Sequence, residues 1–146
     1  MNHSIYFNYA DRKLSGIRTT PLKLFVASLL SKEGIKNSNL NYIFCSDEYL
    51  LQINQQFLQH NYYTDIITFD LSENATVLLE GEIYVSIDRI KDNAATQKID
   101  WKQELQRVIF HGALHLCGYK DKKKEDIIVM RAKEDEYILL FTKKQQ

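Results

Sequence analysis

Apolar and polar residues follow two rhythms along this chain. A period of two marks strands, and recurrence every three to four residues marks helices. Ser4–Tyr9 has strand composition. Leu22, Phe25, Val26, Leu29 and Leu30 then recur at helical spacing, with Thr20 placed as cap, Pro21 in the first turn and Gly34 as the stop. Leu40–Cys45 reads as a second strand, after which Ser46 caps a helix carrying Leu50, Leu51, Ile53, Phe57 and Leu58. In Asp65–Leu71 the residues Ile67, Phe69 and Leu71 alternate with Thr68 and Asp70, the pattern of a half-buried strand. A loop at Ser72–Thr76 leads to a fourth strand at Glu82–Ser86, and Ser86 or Asp88 opens a helix through Ile87, Ile90 and Ala94.

Asp100 with Gln103 resembles a capping box for a helix that runs to about Cys117, where Gly118 ends it. From Val108 onward this helix is apolar on nearly every side, which predicts burial. A last helix covers about Lys124 to Phe141, with Ile127, Met130, Tyr137, Ile138 and Phe141 inward. The order predicts an α+β fold: a small mixed four-stranded sheet packed with about five helices, one of them central and buried.

A length of 146 residues fits a single domain over 1–146. The chain is 45% hydrophobic and 26% charged, which excludes a disordered or fibrous protein. Its 19 basic and 19 acidic residues cancel, which argues against nucleic-acid binding by bulk charge and leaves a local patch open. Cys45 and Cys117 each lie in an apolar run and read as buried, reduced thiols, as in a cytosolic protein. The first residues carry no basic and apolar leader, and no apolar run reaches membrane-spanning length. The expectation is a soluble, intracellular chain.

The chemistry concentrates in Phe110–Asp121. His111 and His115 lie four apart on a helix, so both imidazoles point the same way, one turn apart, and suit one metal ion. Gly118 reverses the chain, and Asp121 can return a carboxylate as third ligand. Three protein ligands and an open position are the pattern of a catalytic metal site. The plainer reading, two core histidines, needs a separate polar partner for each ring. Zinc peptidases carry glutamate after the first histidine as proton acceptor; Gly112 stands there, which argues against a metallopeptidase-like hydrolase. Two histidines and a carboxylate also form the facial triad of non-haem iron oxygenases, but those usually sit on β-barrels.

His111-Gly112-Ala113-Leu114-His115-Leu116-Cys117-Gly118-Tyr119-Lys120-Asp121 resembles the signature H-G-x-L-H-L-x-G-Y-D-H of the YbeY-type endoribonucleases, matching every fixed position but the last two. Gln103–Val108, Thr64–Phe69 and Gly81–Ser86 resemble further segments of that family, so the similarity spans about Ile53 to Asp121. The resemblance implies a cytoplasmic enzyme that binds one Zn²⁺, with other divalent ions admitted. It implies cleavage of single-stranded RNA in ribosomal RNA maturation and ribosome quality control. Its partners are then ribosomal RNA and the small ribosomal subunit, with no DNA and no membrane; the alternative is a non-catalytic ribosome-associated factor whose metal is structural. His111, His115 and Asp121 become the metal ligands, and no residue identifies itself as general base.

Two positions depart from the family. Its third ligand is usually histidine, so Asp121 makes a harder, more anionic site. Its usual arginine, six residues before the threonine of Thr64-Asp65, is Leu58 here, which leaves the phosphate-contacting group open. Candidate RNA contacts are His60, Lys120 and Lys122, the lysines belonging to a cationic run around Asp121. Tyr62 and Tyr63 could stack on bases or simply pack where the strand begins.

Overall fold

A computed structural model describes residues 2–146. Within them lie four strands and five helices in the order β1 (Asn2–Tyr9), α1 (Thr19–Lys32), β2 (Asn37–Cys45), α2 (Asp47–Leu58), β3 (Ile66–Asp70), β4 (Leu79–Ser86), α3 (Ile87–Gln97), α4 (Trp101–Leu116) and α5 (Lys124–Gln145). The sheet order is β1-β2-β4-β3. β1, β2 and β4 run parallel, and β3 closes one edge antiparallel to β4 with Ile67 opposite Tyr84. The α+β architecture with a mixed sheet is the one expected.

Strand alternation divides the core. Leu40, Tyr42 and Phe44 of β2 and Leu79, Ile83 and Val85 of β4 face the large core formed with α1, α4 and α5. Cys45 and Ile67 face the other side, where Leu50 of α2 covers them. α4 is the buried helix of this arrangement: Leu105, Val108, Ile109, Phe110, Ala113, Leu114 and Leu116 are all in the core. Tyr42 fixes it to the sheet by donating to the Ile109 carbonyl at 2.7 Å.

Gly112 and Gly81 set how closely α4 lies on the sheet. A Cβ at Gly112 would stand 2.9 Å from Ile83 Cγ2 and 3.1 Å from Ile66 Cδ1, and one at Gly81 2.6 Å from Leu116 Cδ1. Gly112→Ala should therefore destabilise the fold. Overpacking costs about 1–3 kcal/mol, and the helix propensity gained over glycine returns about 1 kcal/mol. The net loss is about 1 kcal/mol, read as a lower urea midpoint; a higher midpoint would contradict the close packing.

Several local expectations need correction. α1 begins at Thr19 with Arg18 as N-cap and no capping side chain, so Thr20 lies inside the first turn with Pro21. Ser46, Ser86 and Asp100 are caps, accepting from Tyr49, Arg89 and Lys102 amides, but among the described hydrogen bonds Gln103 returns to Asp100 only through its backbone amide, at 3.0 Å to the Asp100 carbonyl, and not through its side chain. Phe57 and Leu58 are 60% and 41% exposed, because α2 overlies only the small second cluster and its last turn runs past it. Leu71 lies beyond β3 and is exposed, and Ile127 is also exposed, because the first turn of α5 overhangs an open cleft. Both cysteines are free, but only Cys45 is buried; Cys117, at the end of α4, is half-buried. Burial pushes both thiols up to about 12, so neither is a thiolate at neutral pH.

Candidate active site

The stretch of α4 from Glu104 to His111, the start of β3, the turn after α4 and the first half of α5 line an open cleft of about 370 Å³. Thr64 and Asp65 ahead of β3, Glu104, Arg107 and His111 of α4, Asp121, and Met130, Arg131 and Glu134 of α5 line it. His111 is half-buried. Its Nδ1–H donates to Glu134 Oε2 at 2.7 Å, and its Nε2 faces Asp121 Oδ2 at 3.1 Å. Burial alone would push this imidazole's pKa down; the hydrogen bond and charge of Glu134, joined by Asp121, outweigh it and raise the value.

His115 lies one turn on, exposed, and its ring is parallel to that of His111 with centroids 6.3 Å apart. Its Nδ1 lies 3.0 Å from the Tyr119 carbonyl. A carbonyl only accepts, so Nδ1 carries the proton and Nε2 keeps its lone pair. Both histidines are thus held in one tautomer by an acceptor behind the ring, the usual arrangement behind a metal-ligating imidazole. Two electron-pair donors, His111 Nε2 and the Asp121 carboxylate, meet at 3.1 Å; a proton or a cation must lie between them. The donor chemistry, two imidazoles and a carboxylate, fits a divalent ion. Among the described residues the side chains do not yet close on one point: no group of three or more His, Cys, Asp or Glu stands close enough to hold an ion as placed.

Of the sequence candidates, His111 and Asp121 meet in the cleft, and His115 lies beside them outside its lining. His60, Lys120 and Lys122 are exposed and do not line it. His60 instead stacks on Tyr62, whose hydroxyl forms a hydrogen bond with its Nδ1 at 2.9 Å. Tyr62 and Tyr63 are exposed, and Tyr63 donates to Glu48, so neither is core packing.

The periodic reading missed Glu134, Arg107, Glu104 and Asp65. Glu134 is 4% exposed and anchors both His111 and Arg107, whose guanidinium also reaches Asp135 at 2.8 Å. Glu104 is buried, its Oε1 has no partner, and burial followed by the nearby Asp65 charge raises its pKa. Burial raises that of Asp65 as well. A signal for Glu134 was present: it occupies the apolar stripe Met130, Tyr137, Ile138, Phe141, where a carboxylate needs a cationic partner.

With this geometry, comparison with known proteins identifies the class. The family described as "Endoribonuclease YbeY" matches residues 8–142. "Endoribonuclease YbeY" of Cytophaga hutchinsonii is 50% identical over 132 residues, covering 90% of this chain and 92% of the relative. The protein of the same name from Flavobacterium psychrophilum is 48% identical over 121 residues, covering 83% and 85%. The solution structure of TM1509 from Thermotoga maritima superposes with a TM-score of 0.69 at 27% identity, covering 97% of this chain and 91% of that one. The class is that of endoribonucleases, hydrolases of RNA phosphodiester bonds. The chain belongs to the YbeY family. No helix among the described residues is long and apolar enough to cross a membrane.

Proposed function

We propose that residues 1–146 form one metal-dependent endoribonuclease domain that cuts single-stranded RNA, with one Zn²⁺ held by His111, His115 and Asp121. The observation that carries this is the acceptor behind each imidazole. Glu134 and the Tyr119 carbonyl accept from the two Nδ1 atoms, which leaves each Nε2 for a ligand, and that of His111 stands 3.1 Å from the Asp121 carboxylate. A bound ion would supply Lewis acidity to the phosphoryl group and acidify water. The chain's own groups do the rest. Glu134 orients His111 and is itself held by Arg107. Arg131, 59% exposed and only loosely paired with Glu134 at 3.5 Å, is the cation best placed to meet a phosphate where the family arginine is replaced by Leu58. Lys120, Lys122 and His60, exposed and outside the cleft lining, remain as further candidate RNA contacts. The substrate is ribosomal RNA in maturation and quality control, the partner the small ribosomal subunit, and the place of action the cytoplasm; DNA and membranes are not partners.

The experiment compares single-stranded and duplex RNA of one sequence with the purified chain. Cleavage should be confined to the single strand, weaken steeply with salt because phosphate contacts dominate affinity, stop on chelation and return with zinc. Cleavage that survives chelation contradicts the metal reading. Unfolding on chelation without any RNA cutting favours a structural metal.

A further inference from the structure

We infer that Glu33, the C-cap residue of α1, is a positioning residue of the site: through Tyr119 it holds the turn that fixes the His115 ring and presents Asp121. The Glu33 side chain is only 10% exposed and draws donors from two distant segments. Tyr119 OH donates to its Oε1 at 2.7 Å, while Tyr137 OH and Lys133 of α5 donate to Oε2. The carboxylate therefore ties the end of α1 to α5 and to the turn after α4.

In that turn the Tyr119 ring packs against the main core and lies 5.8 Å from Lys133 Nζ, contacts that Tyr119→Phe keeps, so the variant isolates the hydroxyl's bond to Glu33. Gly118, at φ +111, reverses the chain, and the amides of Gly118 and Tyr119 return to the His115 and Leu114 carbonyls. From Tyr119 to Lys123, the side-chain hydrogen bonds and ion pairs among the described residues are Tyr119 to Glu33, His115 to the Tyr119 carbonyl, and Asp121 to His111. Only the first reaches outside the site. The Tyr119 residue is thus held at its hydroxyl by Glu33 while its carbonyl selects the His115 tautomer. A histidine without that acceptor is free to carry its proton on either nitrogen. Asp121 follows two residues later, so the same anchor sets where its carboxylate starts from. Outer groups of this kind typically change metal affinity by about 10–100-fold when removed.

The test uses the full chain with Tyr119→Phe, Glu33→Ala, the double variant, and Glu33→Gln, whose amide oxygen still accepts from Tyr119. The first readout is nitrogen NMR of the imidazoles in metal-free protein at mildly alkaline pH. The second is zinc titration, which rests on the metal reading; thermal unfolding checks the fold. The parent should show His115 protonated on Nδ1. Tyr119→Phe and Glu33→Ala should give mixed tautomers and bind zinc roughly 10-fold more weakly. The double variant should be no worse than either single one, and Glu33→Gln should match the parent. An unchanged His115 tautomer in folded Tyr119→Phe, with only the unfolding temperature lowered, would overturn the inference. So would additive losses in the double variant. A parent that binds no zinc at all defeats the metal reading and leaves the NMR comparison to decide the role of Glu33.

Discussion

Glu134→Ala should cost about 3 kcal/mol of stability and remove most of the metal affinity. Glu134 is buried and joins two partners on α4, so its removal takes a carboxylate from each. Arg107, 16% exposed, loses one of its two carboxylates. Removing one partner of a buried pair costs about 3–5 kcal/mol; the low end applies because Arg107 keeps Asp135. His111 meanwhile loses the acceptor that fixes its proton on Nδ1. Glu134→Gln separates the two effects. Its amide oxygen still accepts from one donor and its shape is unchanged, so the fold survives, but the negative charge behind His111 is gone. Zinc affinity should fall by about 10–100-fold with a smaller loss of stability, read by titration and by denaturant midpoint. Parent-like zinc affinity in Glu134→Gln would remove this carboxylate from the site.

His115→Ala should abolish RNA cleavage and leave the fold intact. His115 is exposed and its one hydrogen bond is to a carbonyl of an adjacent turn, so the stability change stays within about 0.5 kcal/mol, the range of surface substitutions. Cleavage should fall by more than the roughly 100-fold that outer groups cost, because the proposed centre loses one of its three ligands. Activity measured on single-stranded RNA with unfolding curves of both proteins decides it. Equal cutting by the variant, freed of contaminating nucleases, would show that His115 has no part in the reaction.

Much of this is legible in the chain, for physical reasons. Strands and helices are read from apolar spacing because each buries one face, as β2 does with Leu40, Tyr42 and Phe44. β4 begins at Leu79, earlier than its alternation suggests, because Gly81 is a weak strand former until Leu116 packs where its Cβ would stand. His111 and His115 are visible because one helical turn orients both, and Gly118 and Asp121 because they follow within six residues along the chain. Glu33 is not, because a glutamate at a helix end usually faces water and its partner Tyr119 lies 86 residues away; Glu134 shows only as a carboxylate in an apolar stripe, with its partner His111 23 residues away. Ile127 and Phe57 mislead for the converse reason: they keep helical spacing where nothing covers them.

The most direct test of the metal centre is zinc-edge X-ray absorption on protein purified without added metal. One zinc per chain, with nitrogen and oxygen neighbours at about 2.0–2.2 Å and no sulfur shell at about 2.3 Å, is the expected result. A chain free of stoichiometric metal, or a sulfur shell from Cys45 or Cys117, would contradict a centre built on His111, His115 and Asp121.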